Sequence, residues 1–240
     1  MKIKVIRPHS KYDSPPDFQA WSVKLLKSYA SPGTTLDVVF PDAPPNTGGW
    51  FGHFSEARIA AMAPYVIQEV SKAEAEGYDA VWTTGEWDVG AAVARHLVGI
   101  PVVDSGPVCL HTAALLGDRI CVLVIEDSAK SFARTLFKRW GMSDFVTSII
   151  PWNIPIYESW DRKTEIKDIT VKMCKKAVEE EDAQVIVSFC GVFVPMIVSP
   201  EELEDAVGVP CLNTMAVALR TTEMFVNLKL HKSLKAYPKP

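Results

Sequence analysis

Two periodicities of apolar and polar residues take turns along this chain. Short, nearly continuous apolar runs occur at KIKVIR (2–7), TLDVVF (35–40), DAVWTTG (79–85) and PVVDSG (101–106). Between them lie longer stretches in which apolar residues recur every three or four positions. The short runs predict strands buried on both faces, and the longer stretches predict amphipathic helices. Helices are expected over 17–30, over 55–77 with Ser55 as its N-cap, over 89–99, and over about 107–116 ending at Gly117. Pro64 inside the second of these is expected to kink or divide it.

The same order then restarts. RICVLVIE (119–126) predicts a strand, 128–140 a helix closed by Gly141, FVTSII (145–150) a strand, 164–181 a charged helix, and QVIVSFC (184–190) a strand. SPEELEDAVG (199–208) carries strong helix-start signals, with Ser199 at the cap, Pro200 in the first turn and acids behind them. VPCLN and a final helix over about 214–230 close the chain. DAVWTTG with GIPVVDSGPV pairs with QVIVSFC with GVPCLNTMAV, so Gly85 falls opposite Cys190, Pro101 opposite Pro210, Asp104 opposite Asn213 and Ser105 opposite Thr214. The expected fold is therefore α/β: two pseudo-symmetric lobes, each a parallel sheet flanked by helices. Lobe 1 spans 1–105 plus 214–240 and lobe 2 spans 106–213. In parallel α/β sheets ligands collect at the carboxyl ends of strands. The expected active site is thus a cleft between the lobes, with Gly85 and Cys190 on opposite walls.

Composition narrows the function. The chain has 240 residues, 48% of them apolar and 22% charged, with a formal net charge of −4. No apolar run approaches the roughly 18 residues needed to span a bilayer, and MKIKVIRPHS lacks a signal-peptide layout. A cytoplasmic protein with no membrane partner is expected. The acidic balance disfavours nucleic acid as a partner. The five cysteines, at 109, 121, 174, 190 and 211, show no paired spacing and are read as reduced thiols. No Walker-type loop, dinucleotide fingerprint, CxxC, HExxH or GxSxG motif occurs, so nucleotide, metal and serine-hydrolase sites lack support. No cofactor and no metal are expected.

The candidate chemistry sits at strand ends. Cys121 and Cys174 read as small core hydrophobes, as do Cys109 and Cys211. Cys190 differs: it closes a buried strand and is followed by Gly191, whose exposed backbone leaves amide groups that could lower a thiol pKa. In TTGEWD (83–88), Thr83, Thr84 and Gly85 offer hydroxyls and amides for a carboxylate or an enolate-like oxygen. A plain strand-to-helix turn is the alternative reading. Glu86 is either a solvated charge or an acid–base group. In RPHS (7–10), Arg7 could clamp a carboxylate, with His9 and Ser10 beside it; the alternative is a surface loop. The Pro/Gly-rich segment 41–54 carries Trp50, Phe51 and Phe54, either as a lid over an apolar ligand or as a packed loop.

Taken in order, KVIRPHS, GIPVVDSGPVCLHTAALLGDRICVLV (99–124), VIVSFCG and ALRTTEMFVNLKLHKSLKAYPKP (218–240) make the chain resemble the aspartate/glutamate racemase superfamily, in particular its hydantoin racemase branch. The resemblance covers nearly the whole chain. It implies a cofactor-independent racemase or isomerase in which two cysteines face each other across a carbon acid, and a homo-oligomer. The second cysteine matches Cys190, and the first matches Gly85 or, at best, Thr84. Arg7 replaces the usual asparagine, and Val124 stands where threonine is common. A glycine at the first position with only the second cysteine resembles the arylmalonate decarboxylase branch, where loss of carbon dioxide creates the carbanion and the lone cysteine protonates it. The substrate implied is a small carboxylate or hydantoin-like molecule. A binding protein that has lost turnover is the alternative from another class.

Overall fold

The computed structural model describes residues 1–47 and 54–239. Among these residues seven strands form two all-parallel sheets. The first sheet has the order β2-β1-β3-β4, built from β1 Lys2–Ile6, β2 Thr35–Val39, β3 Ala80–Thr83 and β4 Val102–Asp104. The second has the order β6-β5-β7, built from β5 Ile120–Val124, β6 Val146–Pro151 and β7 Val185–Ser188. The crossovers run through α1 Pro16–Ser28, α2 Glu56–Ala73, α3 Ala91–Ala94, α4 Ser105–Ala113, α5 Ala129–Arg139, α6 Lys163–Glu181 and α7 Pro200–Val207; α8 Thr214–Asn227 follows. Parallel strands need such crossovers, and helices on the faces explain why β3, β5 and β7 are buried at every position.

The chain forms two compact units. One comprises Met1–Trp50, Glu56–Ser105 and Ala218–Pro240, and the other Phe51–Ser55 and Gly106–Val217. Each repeats the same internal design. In the first unit Val81 on β3 pairs with Val102 on β4; in the second Ile186 on β7 pairs with Cys211 through a single parallel bridge. Those pairs match under the same alignment that sets Gly85 opposite Cys190, and α4 and α8 start at the matched Ser105 and Thr214.

Several elements differ from the periodicity. Pro64 leaves α2 undivided as an 18-residue helix. The helix expected over 89–99 is a single turn, because Gly90 at φ 85° and the following turn residues claim its ends. The stretch VPCLN makes one bridge rather than a strand. Ser105 opens a helix instead of ending a strand, which puts His111 in the last turn of α4, its Nδ1 2.8 Å from Met142 Sδ. The signals around Ser199 act as written: its hydroxyl accepts from the Glu202 amide at 3.1 Å, and Gly208 closes α7 at φ 76°. No helix among the described residues is long and apolar enough to cross a membrane.

Candidate active site

In the first unit, β1 and β3 are parallel neighbours in register Ile6↔Thr83, so the segments that follow them leave the same edge of the sheet. Arg7 and Thr84 come next in sequence, and both are buried. The Arg7 amide donates to Val39 O at 2.9 Å and the Thr84 amide to Ile6 O at 2.9 Å, which carries the ladder one residue past each strand. The hydroxyls are spoken for. Thr83 Oγ1 donates to Val103 O and Thr84 Oγ1 to Ile6 O, both at 3.3 Å. A hydroxyl has one proton, so in this arrangement neither threonine donates to a substrate oxygen; both retain lone pairs that accept.

Gly85 sits at φ +90°, and an ideal Cβ there would stand 2.9 Å from Pro8 Cγ. Backbone sign and close approach both demand glycine. Glu86 follows, buried at 3% exposure rather than solvated. Asp88 Oδ1 accepts from the Ala92 amide at 3.0 Å and so serves the short helix α3.

The RPHS segment is buried, against the surface-loop reading. Its His9 amide donates to Arg7 O at 2.9 Å, its ring Nε2 lies 3.4 Å from Ser14 Oγ, and the ring meets Phe40 edge-on at 5.1 Å. Burial, reinforced by the Arg7 charge, holds its pKa well below 6.5, so His9 is neutral at neutral pH. Ser10 Oγ donates to Ala43 O at 2.6 Å and accepts from the Tyr12 amide at 3.2 Å, which anchors the start of the 41–47 loop. Trp50 and Phe51, the expected lid residues, lie outside the described residues. Phe54 is described: its amide donates to Glu126 Oε1, and its carbonyl accepts from Ser128 Oγ at 3.2 Å.

In the second unit, β7 ends at Ser188, two residues before Cys190. The Phe189 amide still donates to Leu123 O at 2.8 Å, and its ring packs edge-on against Phe137 at 5.4 Å. Cys190 is then caught by its own neighbour. Ser188 Oγ accepts from the Cys190 amide at 3.1 Å and donates to the Cys190 carbonyl at 2.9 Å. The same carbonyl accepts from Phe193 at 3.0 Å and Val194 at 3.1 Å. Gly191 has helical dihedrals (φ −60°, ψ −18°) and leads into the turn Val192–Ile197, where Val194 is extended and the Val194–Pro195 peptide is cis.

Exposure does not separate the thiols: Cys190 is 4% exposed and Cys211 7%. Position does. Cys121 lies within β5, Cys174 within α6 and Cys109 within α4, where its Sγ donates to Thr214 O at 3.4 Å. Burial pushes the Cys121 and Cys211 thiols up to about 12 and raises that of Cys174 as well. The raised pKa keeps Cys121, Cys174 and Cys211 protonated near neutral pH, where the thiolate is the nucleophile. Among the described residues no group of three or more His, Cys, Asp or Glu side chains could hold a metal ion.

Ser188, Ser14 and Pro8 carry structural weight at these strand ends without having stood out in the sequence. Only Ser188 left a signal: a serine two residues ahead of a strand-end cysteine, a spacing at which its hydroxyl competes for backbone groups.

Comparison with known proteins bears on the family and the fold. The chain is 28% identical over 244 residues to hydantoin racemase from Pseudomonas sp. (strain NS671), covering 100% of this chain and 92% of that protein. Its fold is similar to allantoin racemase from Klebsiella pneumoniae (TM-score 0.87, 21% identity, 100% of this chain and 94% of that one). It is also similar to arylmalonate decarboxylase (TM-score 0.65, 18% identity, 94% and 92% covered). The family model for Asp/Glu/Hydantoin racemase matches residues 41–222, three quarters of the sequence, and the chain therefore belongs to that family.

Proposed function

We propose that the protein is a cofactor-independent enzyme acting at the carbon α to a carboxylate or amide carbonyl, with Cys190 as proton donor and acceptor. The observation that carries this reading is Cys190 itself, the one thiol of five that follows the carboxyl end of a parallel strand, within the stretch matched by the family model. The hydantoin racemase likeness supports racemisation or a related isomerisation. The Cys190 thiolate takes the α-proton, the electron pair moves into the carbonyl to form an enolate, and a proton returns to the same carbon. Such a proton is very weakly acidic, so the base must be placed well and the oxyanion stabilised. Arg7, His9, Gly85 and Gly191 form the binding set, and the hydroxyls of Ser10, Thr83 and Thr84, whose protons are already donated, add only acceptors for substrate N–H groups. Inversion needs a second acid on the opposite face. Gly85 supplies none, and Glu86 takes that role.

The absence of room for a side chain at Gly85, where a Cβ would stand 2.9 Å from Pro8 Cγ, favours a second reading, an arylmalonate-type decarboxylase. Loss of carbon dioxide generates the enediolate without a base, and Cys190 alone protonates it.

The test is a panel of chiral hydantoins, amino acids and disubstituted malonates in deuterated water. Deuterium at the α-carbon without loss of carbon dioxide identifies a racemase or isomerase, and carbon dioxide release identifies a decarboxylase. In either case Cys190→Ala should lower turnover by about 10²–10⁴-fold. Inertness of both wild type and variant across the panel would replace the enzyme reading with a binding protein.

A further inference from the structure

We infer that Ser188 is a positioning residue for Cys190, an inference that rests on the proposed role of that thiol. Its buried hydroxyl spends both of its hydrogen-bonding faces on one residue, accepting from the Cys190 amide at 3.1 Å and donating to the Cys190 carbonyl at 2.9 Å. The peptide groups on either side of the Cys190 Cα are thereby locked. The Cα–Cβ bond follows that backbone, so the clasp sets the direction in which the sulfur leaves the strand end. Phe193 and Val194 donate to the same carbonyl, which ties the turn beyond Cys190 to the same point.

The internal repeat supplies a control within the molecule. Thr83 occupies the matched place, two residues before Gly85, and carries the same kind of hydroxyl. It turns instead to Val103 on the neighbouring strand, at 3.3 Å. Among the described residues the clasp occurs at the cysteine end of the repeat and not at the glycine end. A hydroxyl needed only to end a strand would be equally useful at both. Ser188 serves where there is a thiol to aim.

The experiment compares Ser188→Ala and Ser188→Thr with wild type, using the substrate found in the deuterium panel and, independently of any substrate, the rate of Cys190 alkylation by iodoacetamide. Ser188→Ala should lower kcat about tenfold or more with KM little changed and should change the Cys190 alkylation rate roughly threefold or more. Ser188→Thr keeps the hydroxyl and should recover most of kcat. Loss of thermal stability in Ser188→Ala with kcat and alkylation rate at wild-type values would overturn the inference. So would a Ser188→Thr variant that folds but is as impaired as Ser188→Ala. Full activity in Cys190→Ala would instead overturn the role proposed for the thiol, an outcome that the Ser188 variants do not mimic.

Discussion

Gly85 faces two separate obstacles to any side chain. Its φ of +90° disfavours every L-residue, and Pro8 Cγ occupies the space a Cβ would need. Gly85→Ala is expected to cost about 1–3 kcal/mol, read from urea unfolding. Pro8→Ala in the same chain should return only the part due to the contact, because the dihedral remains. A Gly85→Ala variant of wild-type stability would show that the turn relaxes freely. His9 makes the opposite kind of prediction, about pH. Its folded pKa lies well below 6.5, so above that value both folded and unfolded chains hold it neutral. As pH falls, the unfolded chain takes up a proton that the buried ring refuses, and stability declines toward acid. His9→Gln should therefore lose less stability than wild type between about pH 7 and 5, by up to about 1.4 kcal/mol per pH unit. Identical acid slopes would contradict the buried neutral ring.

At the scale of elements, α8 is held by a carboxylate. Glu223 is 3% exposed, and accepts from the Ser31 amide at 2.8 Å, from Ser31 Oγ at 2.6 Å and from Arg220 at 3.0 Å. Burial pushes its pKa up, but these donors outweigh it and the net shift is downward. Glu223→Gln keeps the shape and loses the charge. It should cost about 1–3 kcal/mol near neutral pH, with the difference from wild type shrinking as pH falls through the folded pKa of Glu223. Equal stability at all pH values would mean the tether contributes nothing. The element boundaries show what pattern reading reaches. Ser199, Pro200 and Gly208 marked α7 because capping is local chemistry. Pro64 suggested a break in α2 that did not occur, since the ends of a helix that buries Met62, Val66 and Val70 are set by the packing of that face.

At the scale of the molecule, the prediction concerns which thiol answers to a ligand. Iodoacetamide should label Cys190 faster than Cys109, Cys121, Cys174 and Cys211, and an arylmalonate or a substituted hydantoin should slow that labelling alone. Uniform, ligand-insensitive labelling of all five would argue against Cys190 as the working group. The two units, each with its own parallel sheet whose first three strands are arranged in the same order, make such selectivity understandable. A repeated fold supplies two matched strand ends, and only one of them carries sulfur.

The sequence alone determined the alternation of buried strands and amphipathic helices, the repetition of one unit, and the match of Cys190 with Gly85. Hydrophobic period and local caps are properties of consecutive residues, so they are legible without coordinates. Tertiary structure decided which partner each polar group takes. The hydroxyl of Thr84 reaches Ile6, 78 residues away, and Glu223 reaches Ser31 across 192. Sheet register and helix docking bring those atoms within about 3 Å, the range at which a hydrogen bond forms. The left-handed turn at Gly85 and the neutral His9 follow from such encounters between segments distant in the chain, whereas the clasp on Cys190 comes from Ser188, two residues before it.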